Sequence, residues 1–342
     1  MTTPCSLAVA LASAAAALTV LGASPMSPPA KAQPVVVKIG GPTINDTTHN
    51  WMRIFKARME KRAADRVRIE LYPASQLGPI PRMIEGTQLG TIEISIMPID
   101  FLAGVDRRYA LVGSPGIFDD VGHGFRTLHD PALKPVFWKI GEAKGLVTIG
   151  MTCDTPTTYV SRRPMTTLDD FRGKKIRVFA SAAEREALRR LGATASPMPL
   201  DEVLVALNTG VIDAAKGTVT VWSTFKYYDV AKHILRTDEA LICVIKNASK
   251  QWMDRLPADL RAIIAEEAIQ ADNENMPFIE NFIREAYRNW TAAGGEIVDL
   301  SPAMRRELRE KLSTVGDSVV EADAELKSAY GAMKETASRT RR

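Results

Sequence analysis

The chain has 342 residues, of which 46% are hydrophobic, 25% charged and 6% aromatic, so it can bury a substantial core and exceeds one ordinary domain. Its 44 basic and 40 acidic side chains give a formal net charge of +4. This excess is too small for a nucleic-acid-binding protein, whose basic residues normally form a clustered surplus. The composition predicts a soluble globular protein of two domains.

The first 32 residues have the pattern of a secretory signal peptide. Residues 7–21 carry no charge, and residues 30–32 read Ala-Lys-Ala, an A-x-A cleavage pattern. The apolar run is too short for a comfortable membrane span. We therefore expect residues 1–32 to be removed on export to the periplasm, and the mature protein to have no stable membrane insertion. A monomer is expected as well.

Hydrophobic periodicity next predicts alternating strands and helices, which is typical of an α/β protein. In the first half of the chain, strands are expected at 35–39, 67–71, 92–96 and 146–152. Helices are expected at 50–64, 79–89, 122–128 and 132–144.

The second half repeats this alternation. It predicts strands at 175–179, 241–245 and 296–300, and helices at 181–191 and 201–209. Residues 257–293 contain no glycine, and the only proline after Pro257 is Pro277. This predicts a helix of about 55 Å, longer than one domain is wide, with a kink near Pro277. A final helical region starts at Ser301-Pro302, and residues 336–342 are expected to fray.

Two cysteines follow the predicted signal peptide, Cys153 and Cys243, and each lies in or beside a strand-like apolar stretch. An oxidising compartment permits a disulfide if their Cα atoms lie within about 7 Å. The simpler expectation is two buried thiols, because cysteine often serves as a small hydrophobic residue.

The common catalytic and cofactor motifs are missing from the sequence. The four histidines form no HxxxH or HExxH pattern, no CxxC occurs, and neither a GxSxG elbow nor a GxxxxGK[ST] loop is found. We therefore expect no catalytic residue, no metal and no cofactor.

Arg177 is the most informative residue, because it lies among apolar neighbours near the end of the strand at 175–179. A buried guanidinium requires an anion or an internal carboxylate as its partner. Ligands bind at the carboxyl ends of strands in open α/β sheets, and the planar fork of arginine suits a carboxylate. From its position alone, a ligand and an internal salt bridge are equally good explanations.

Residues 164–178, PMTTLDDFRGKKIRV, resemble the most recognisable segment of one family, the extracytoplasmic solute receptors of tripartite ATP-independent periplasmic (TRAP) transporters, also called the DctP type. Shorter segments agree in order: SQLG at 75–78, SPGIFDD at 114–120, LGAT at 191–194, PMPL at 197–200, NTGVID at 208–213 and KYYDV at 226–230. The resemblance implies a two-lobed α/β periplasmic-binding-protein fold, with hinge strands near Pro156 and 244–246 and a long helix spanning both lobes. It also implies that Arg177 binds the carboxylate of an organic acid.

The resemblance further implies the domain boundaries and the partners. Lobe I would comprise 33–156 and about 246–285, and lobe II would comprise 157–245 and about 286–335. The receptor would close around a small organic acid and deliver it to TRAP membrane subunits.

Several positions of the implied ligand site depart from the family pattern. Thr157 stands where sialic-acid-type members have a second arginine, Gly217 replaces the asparagine of a Gln-x-Asn-Pro segment, and Leu200 replaces a common phenylalanine. The remaining candidates are two possible apolar wall residues, three residues from lobe I and a possible second cation; they are Trp222, Tyr159, Met97, Pro98, Pro42 and Lys216. Small and aliphatic residues at such positions favour a modest-sized carboxylate with an apolar or aromatic body over a sugar acid, whose hydroxyls would lack partners.

Three other functions fit some of these features. A binding protein of an ABC importer has the same broad architecture, although the segment at 173–178 argues against it. A secreted hydrolase or isomerase would need an acid of perturbed pKa near Arg177. A sensor partner would bind the same ligand but present it to a membrane receptor.

Overall fold

The computed structural model describes residues 33–63 and 65–341, and this part of the chain forms an α/β structure around a nine-stranded sheet. The predicted signal peptide and Ala64, the predicted end of the first helix, lie outside the described residues. The strands are β1 (Val35–Gly40), β2 (Val67–Tyr72), β3 (Ile94–Pro98), β4 (Leu146–Ser161), β5 (Lys175–Val178), β6 (Thr194–Pro197), β7 (Ala214–Gly217), β8 (His233–Ser249) and β9 (Glu296–Asp299). The helices are α1 (Thr47–Ala63), α2 (Ile80–Leu89), α3 (Val121–Leu128), α4 (Lys134–Phe137), α5 (Ala182–Arg190), α6 (Leu200–Thr209), α7 (Val219–Thr224), α8 (Lys250–Arg255), α9 (Ala258–Ala292), α10 (Pro302–Leu312), α11 (Val315–Val320) and α12 (Ala324–Thr340).

Two long antiparallel strands, β4 and β8, connect the two ends of the sheet. The strand order is β2-β1-β3-β8-β4-β7-β5-β6, and β9 pairs with β8. β4 has 16 residues and β8 has 17, so each strand extends from the β1–β3 end to the β5–β7 end. We call these ends, with the helices packed on them, lobe I and lobe II. The pairing of β4 with β8 is irregular at Thr148/Gly150, Cys153/Thr155 and Pro156/Thr158, where bulges bend the strands.

Four hydrophobic clusters form the core, two around β1–β3 and two around β5–β7. The 35-residue helix α9 packs against clusters of both lobes, as the sequence predicts. Its residues Leu260 and Ile264 pack in a cluster of lobe I, whereas Ala286 and Trp290 pack in a cluster of lobe II. The helix is continuous through Pro277, and the kink there stays a prediction.

Most predicted elements are present, but the strands predicted at 146–152 and 241–245 are parts of the much longer strands β4 and β8. Two other differences arise at local turns. β3 begins at Ile94, two residues late, because the Ile92 amide donates to Gly86 in the turn after α2. The helix predicted at 132–144 is reduced to α4 and a 3-10 turn at Glu142–Lys144. Pro135 in the first turn of α4 and Gly141 before the 3-10 turn interrupt the helical pattern.

The expected fraying of residues 336–342 is wrong through Thr340, because α12 continues to that residue. Met333 and Ala337 are buried in a cluster of lobe I. The tail is polar in overall composition, but its few apolar residues lie on one face of α12 and pack against lobe I. The lobe boundaries as a whole stay a prediction, although α12 packs on lobe I and the segment 286–335 was predicted to belong to lobe II.

Cys153 and Cys243 form a disulfide between β4 and β8, so the expectation of two unpaired thiols is wrong. The two residues lie opposite each other in the strand pairing. Each strand is apolar by itself, and only the pairing of residues 90 positions apart brings the sulfurs together.

In the part of the chain that the structure describes, no helix is both long and apolar enough to cross a membrane.

Candidate functional site

The site is built around Arg177, which β5 holds between β6 and β7. The residue is only 1% exposed. Its Nε donates to the carbonyl of Met198 at 2.9 Å, and its Nη1 donates to the carbonyl of Lys216 at 2.9 Å. These two bonds fix the plane of the guanidinium, which lies 4.4 Å from the centre of the Phe179 ring.

The third nitrogen of Arg177, Nη2, is buried and has no hydrogen-bond partner. Among the described residues no acid forms an ion pair with Arg177. Burial lowers the pKa of Arg177 to about 10, while the negative charge of Glu184 opposes part of that shift. The side chain therefore remains a cation at neutral pH, and both N–H groups of Nη2 are left for an anion.

Arg177 lines a cavity of about 60 Å³ between the lobes. Five of the other predicted ligand residues line the same cavity; they are Pro42, Pro98, Leu200, Gly217 and Trp222. Thr155 and Val244, from the two connecting strands, contribute to its wall. Both lobes and the strands between them thus surround one buried cation.

Gly217 and Trp222 depend on each other. The indole of Trp222 lies so close to Gly217 that a Cβ at this position would overlap it. Its Nε1 donates to Thr158 at 3.0 Å, which fixes the ring against the strands. A glycine in a strand often marks such a close approach.

Three predicted residues, Thr157, Tyr159 and Met97, do not line this cavity. The Thr157 and Tyr159 hydroxyls donate to the two oxygens of Glu239, at 2.6 and 3.0 Å. Met97 is 1% exposed and packs in a core cluster of lobe I, because successive residues of a strand face opposite sides and its neighbour Pro98 faces the cavity.

Lys216, the suggested second cation, is already paired with protein carboxylates. Its Nζ lies 3.4 Å from Glu184 and 3.5 Å from Glu239, and the side chain is 2% exposed. The attraction of Glu184, Glu239 and Asp100 outweighs burial and raises the pKa of Lys216. It is therefore not a free cation for a ligand.

Two acids of the cavity wall, Asp46 and Asp154, are not among the ligand residues predicted from the sequence. Asp46 accepts the amide of His49 at 3.0 Å in the first turn of α1, and Asp154 accepts the hydroxyls of Thr47 and Thr152 at 2.5 and 2.6 Å. Within the described residues neither acid forms an ion pair. An acid inside the apolar strand β4 was the available signal, whereas Asp46 resembles an ordinary helix cap.

A larger groove of about 810 Å³ lies elsewhere, between α10, α12 and residues 115–119. Three of its four cations are engaged by acids: Arg305 pairs with Asp238 at 3.3 Å, Lys334 with Asp317 at 2.5 Å and Arg341 with Asp119 at 2.8 Å. The smaller cavity is the better ligand site, because it contains a buried donor without a partner.

The model of bacterial extracellular solute-binding protein family 7, DctP, matches residues 42–323. The chain belongs to this family. It is 27% identical over 301 residues to the C4-dicarboxylate-binding periplasmic protein DctP of Rhodobacter capsulatus, covering 86% of this chain and 90% of the relative. It is 26% identical over 254 residues to the 2,3-diketo-L-gulonate-binding periplasmic protein YiaO of Escherichia coli, covering 74% and 77%.

Solved structures agree with the two-lobed fold. A TRAP periplasmic solute-binding protein from Desulfovibrio salexigens with bound orotic acid superposes with a TM-score of 0.84 at 22% identity, covering 90% of this chain and 99% of the other. A TRAP protein from Shewanella oneidensis with bound succinate superposes with a TM-score of 0.82 at 21% identity, covering 89% and 99%. The resemblance inferred from residues 164–178 is confirmed for both family and fold.

Proposed function

We propose that this protein is the periplasmic receptor of a TRAP-type transporter and captures an organic carboxylate in the cavity beneath Arg177. The observation that carries the proposal is the unpartnered Nη2 of a guanidinium that is 1% exposed and lines a cavity between two lobes. A carboxylate would satisfy this donor with a charge-assisted hydrogen bond. Membership of the family and relatives that bind a dicarboxylate and a sugar acid support this assignment.

The rest of the cavity supports a modest-sized ligand with an apolar part. Its volume of about 60 Å³ lies below the range of roughly 300–1,000 Å³ common for ligand pockets. Phe101, Phe179 and Trp222 provide aromatic wall. Phe101 of lobe I meets Phe179 of lobe II edge to face at 5.5 Å, so closing the lobes buries the ligand between aromatic rings.

The receptor would bind without catalysis. The acid would stabilise the closed arrangement because only there do Arg177 and the residues of lobe I, such as Pro42 and Pro98, contact it together. The closed receptor, a monomer freed of residues 1–32, would then deliver the acid to TRAP membrane subunits. Recovery of the ligand unchanged after long incubation separates this receptor from a secreted enzyme.

The test is calorimetry of the exported protein with the acid that mass spectrometry finds after purification. Arg177→Ala should lower affinity at least a hundredfold, because it removes the only unpaired buried cation of the described cavity. Arg177→Lys keeps the charge but not the fork and should restore affinity only in part. Arg185→Ala on the surface of α5 is the matched control and should bind normally. Unchanged affinity of a folded Arg177→Ala variant would refute the proposal.

Delivery is tested separately in proteoliposomes that contain TRAP membrane subunits. Uptake should require the receptor and an ion gradient. Uptake that depends on ATP would instead assign the receptor to an ABC importer, and binding with no uptake would assign it to sensing.

A further inference from the structure

The wall of the cavity contains two acids, Asp46 and Asp154, together with Arg177. Asp46 is 4% exposed and Asp154 is 6% exposed. Their hydrogen-bond donors are neutral: Asp46 accepts the amide of His49, and Asp154 accepts the hydroxyls of Thr47 and Thr152. Each carboxylate therefore retains lone pairs for a further donor.

Burial raises the pKa of Asp154 and outweighs the attraction of the nearby Lys246. Lys246 forms its ion pair with Asp272 at 2.9 Å and donates to Thr152 at 2.7 Å, and Thr152 in turn donates to Asp154. The wall of the cavity thus contains two acids, Asp46 and Asp154, and one cation, Arg177. A positive charge on the ligand beside the two acids would therefore be favourable.

We infer that the ligand is a zwitterion, in which a carboxylate binds Arg177 and a protonated amine binds Asp46 and Asp154. This inference rests on the proposed function and narrows its substrate class. A second carboxylate at this end of the ligand would face two buried acids, and like charges at short range in the interior are strongly unfavourable. A hydroxyl could donate to these acids, but it would leave their charges uncompensated.

Two matched ligand series measure this preference. One comprises 2-, 3- and 4-aminobutanoate with butanoate, 4-hydroxybutanoate and succinate, which share a four-carbon chain. The other comprises phenylalanine, phenyllactate and 3-phenylpropanoate, which share an aromatic body. A thermal-shift screen of small carboxylates, including dicarboxylates, sugar acids and amino acids, precedes calorimetry with the best member of each class. The amino compounds should bind at least tenfold more tightly than their matched plain acids.

Two variants link the preference to the acids. Asp46→Asn keeps a helix cap. Asp154→Asn keeps one oxygen, which accepts one of the two threonine hydroxyls, and its amide NH2 can donate to the other hydroxyl oxygen. Each should weaken binding of the amino compound at least tenfold and leave the matched plain acid unchanged or tighter. Asp120→Asn is the control, because Asp120 caps α3 through His123 at 2.7 Å and does not line the cavity.

The outcomes separate this inference from the proposed function. If dicarboxylates, sugar acids or plain acids bind most tightly, or if either variant weakens amino and plain acids equally, the zwitterion is refuted and the carboxylate receptor stands. If no carboxylate of the screen binds, the proposed function fails, and the inference fails with it.

Discussion

Arg177 shows why a single residue can identify a site. Removing a guanidinium from water costs several kcal/mol, and two backbone carbonyls satisfy only part of its donors. The third nitrogen, Nη2, remains unpaired at the wall of a cavity. A buried arginine with a purely structural role is normally paired with an internal carboxylate, and Nη2 of Arg177 has no such partner.

Gly217 must be a glycine because Trp222 occupies the space that a side chain at this position would need. Gly217→Ala would place a methyl group 2.3 Å from a ring carbon of Trp222. The indole must then move into the cavity or away from Thr158. We expect a loss of about 1–3 kcal/mol in the free energy of unfolding and weaker ligand binding. Denaturant unfolding with tryptophan fluorescence, and calorimetry with the purified ligand, measure both effects.

The control for this variant is Gly331→Ala in α12. A Cβ there meets no atom within 4 Å, and alanine favours a helix over glycine. Its stability should be unchanged or higher. Equal, small effects of both substitutions would show that the Trp222 contact does not constrain the site.

At the scale of elements, β4 and β8 carry the connection between the lobes, and the Cys153–Cys243 disulfide joins them at a bulge. The bridge closes a loop across 90 positions of sequence. Replacing both cysteines by serine should lower the free energy of unfolding by about 2–4 kcal/mol, because the unfolded chain regains freedom. Chemical denaturation with and without reductant measures this loss.

The disulfide prediction has its own check. Reductant should destabilise the wild-type protein and leave the double serine variant unaffected. Stability that is insensitive to both reductant and substitution would contradict a formed bridge.

The sequence predicted those elements whose signals are local. The helix α9 was predictable because 257–293 lacks glycine, and Arg177 stood out because its neighbours in β5 are apolar. Glu239, in contrast, lies 82 positions from Thr157, which it binds. A pairing at that distance leaves no pattern in the sequence, so Thr157 and Tyr159 were assigned to the ligand instead of to this acid.

At the scale of the whole molecule, buried acids should make stability depend on pH. Burial raises the pKa of Asp46 to about 6, with repulsion from Asp154 adding to the shift. Burial and the charge of Glu184 raise the pKa of Asp100 to about 7, and burial raises the pKa of Asp154. The folded protein therefore binds protons that the unfolded chain does not hold between about pH 4 and 7.

The sign follows from this excess of bound protons. Without ligand, stability should rise as pH falls from 8 to 5.5, by on the order of 2–3 kcal/mol, against a smaller opposing effect from the lowered pKa of His49. Below about pH 4.5 stability should fall again, because acids of lowered pKa such as Glu239 and Asp272 then lose their charge. Thermal unfolding across this pH range measures the profile.

Asp46→Asn should flatten the rise between pH 8 and 5.5, because it removes one of the groups that take up a proton. A wild-type profile that instead falls steadily from pH 8 to 5.5 would contradict the burial of these acids.

The most direct test of the central claim is a crystal structure of the exported protein with the acid that it retains on purification. We predict a ligand carboxylate within about 3 Å of Arg177 Nη2, with the ligand enclosed by both lobes. A ligand bound in the groove between α10 and α12, or an Arg177 whose Nη2 is paired with a protein carboxylate, would contradict it.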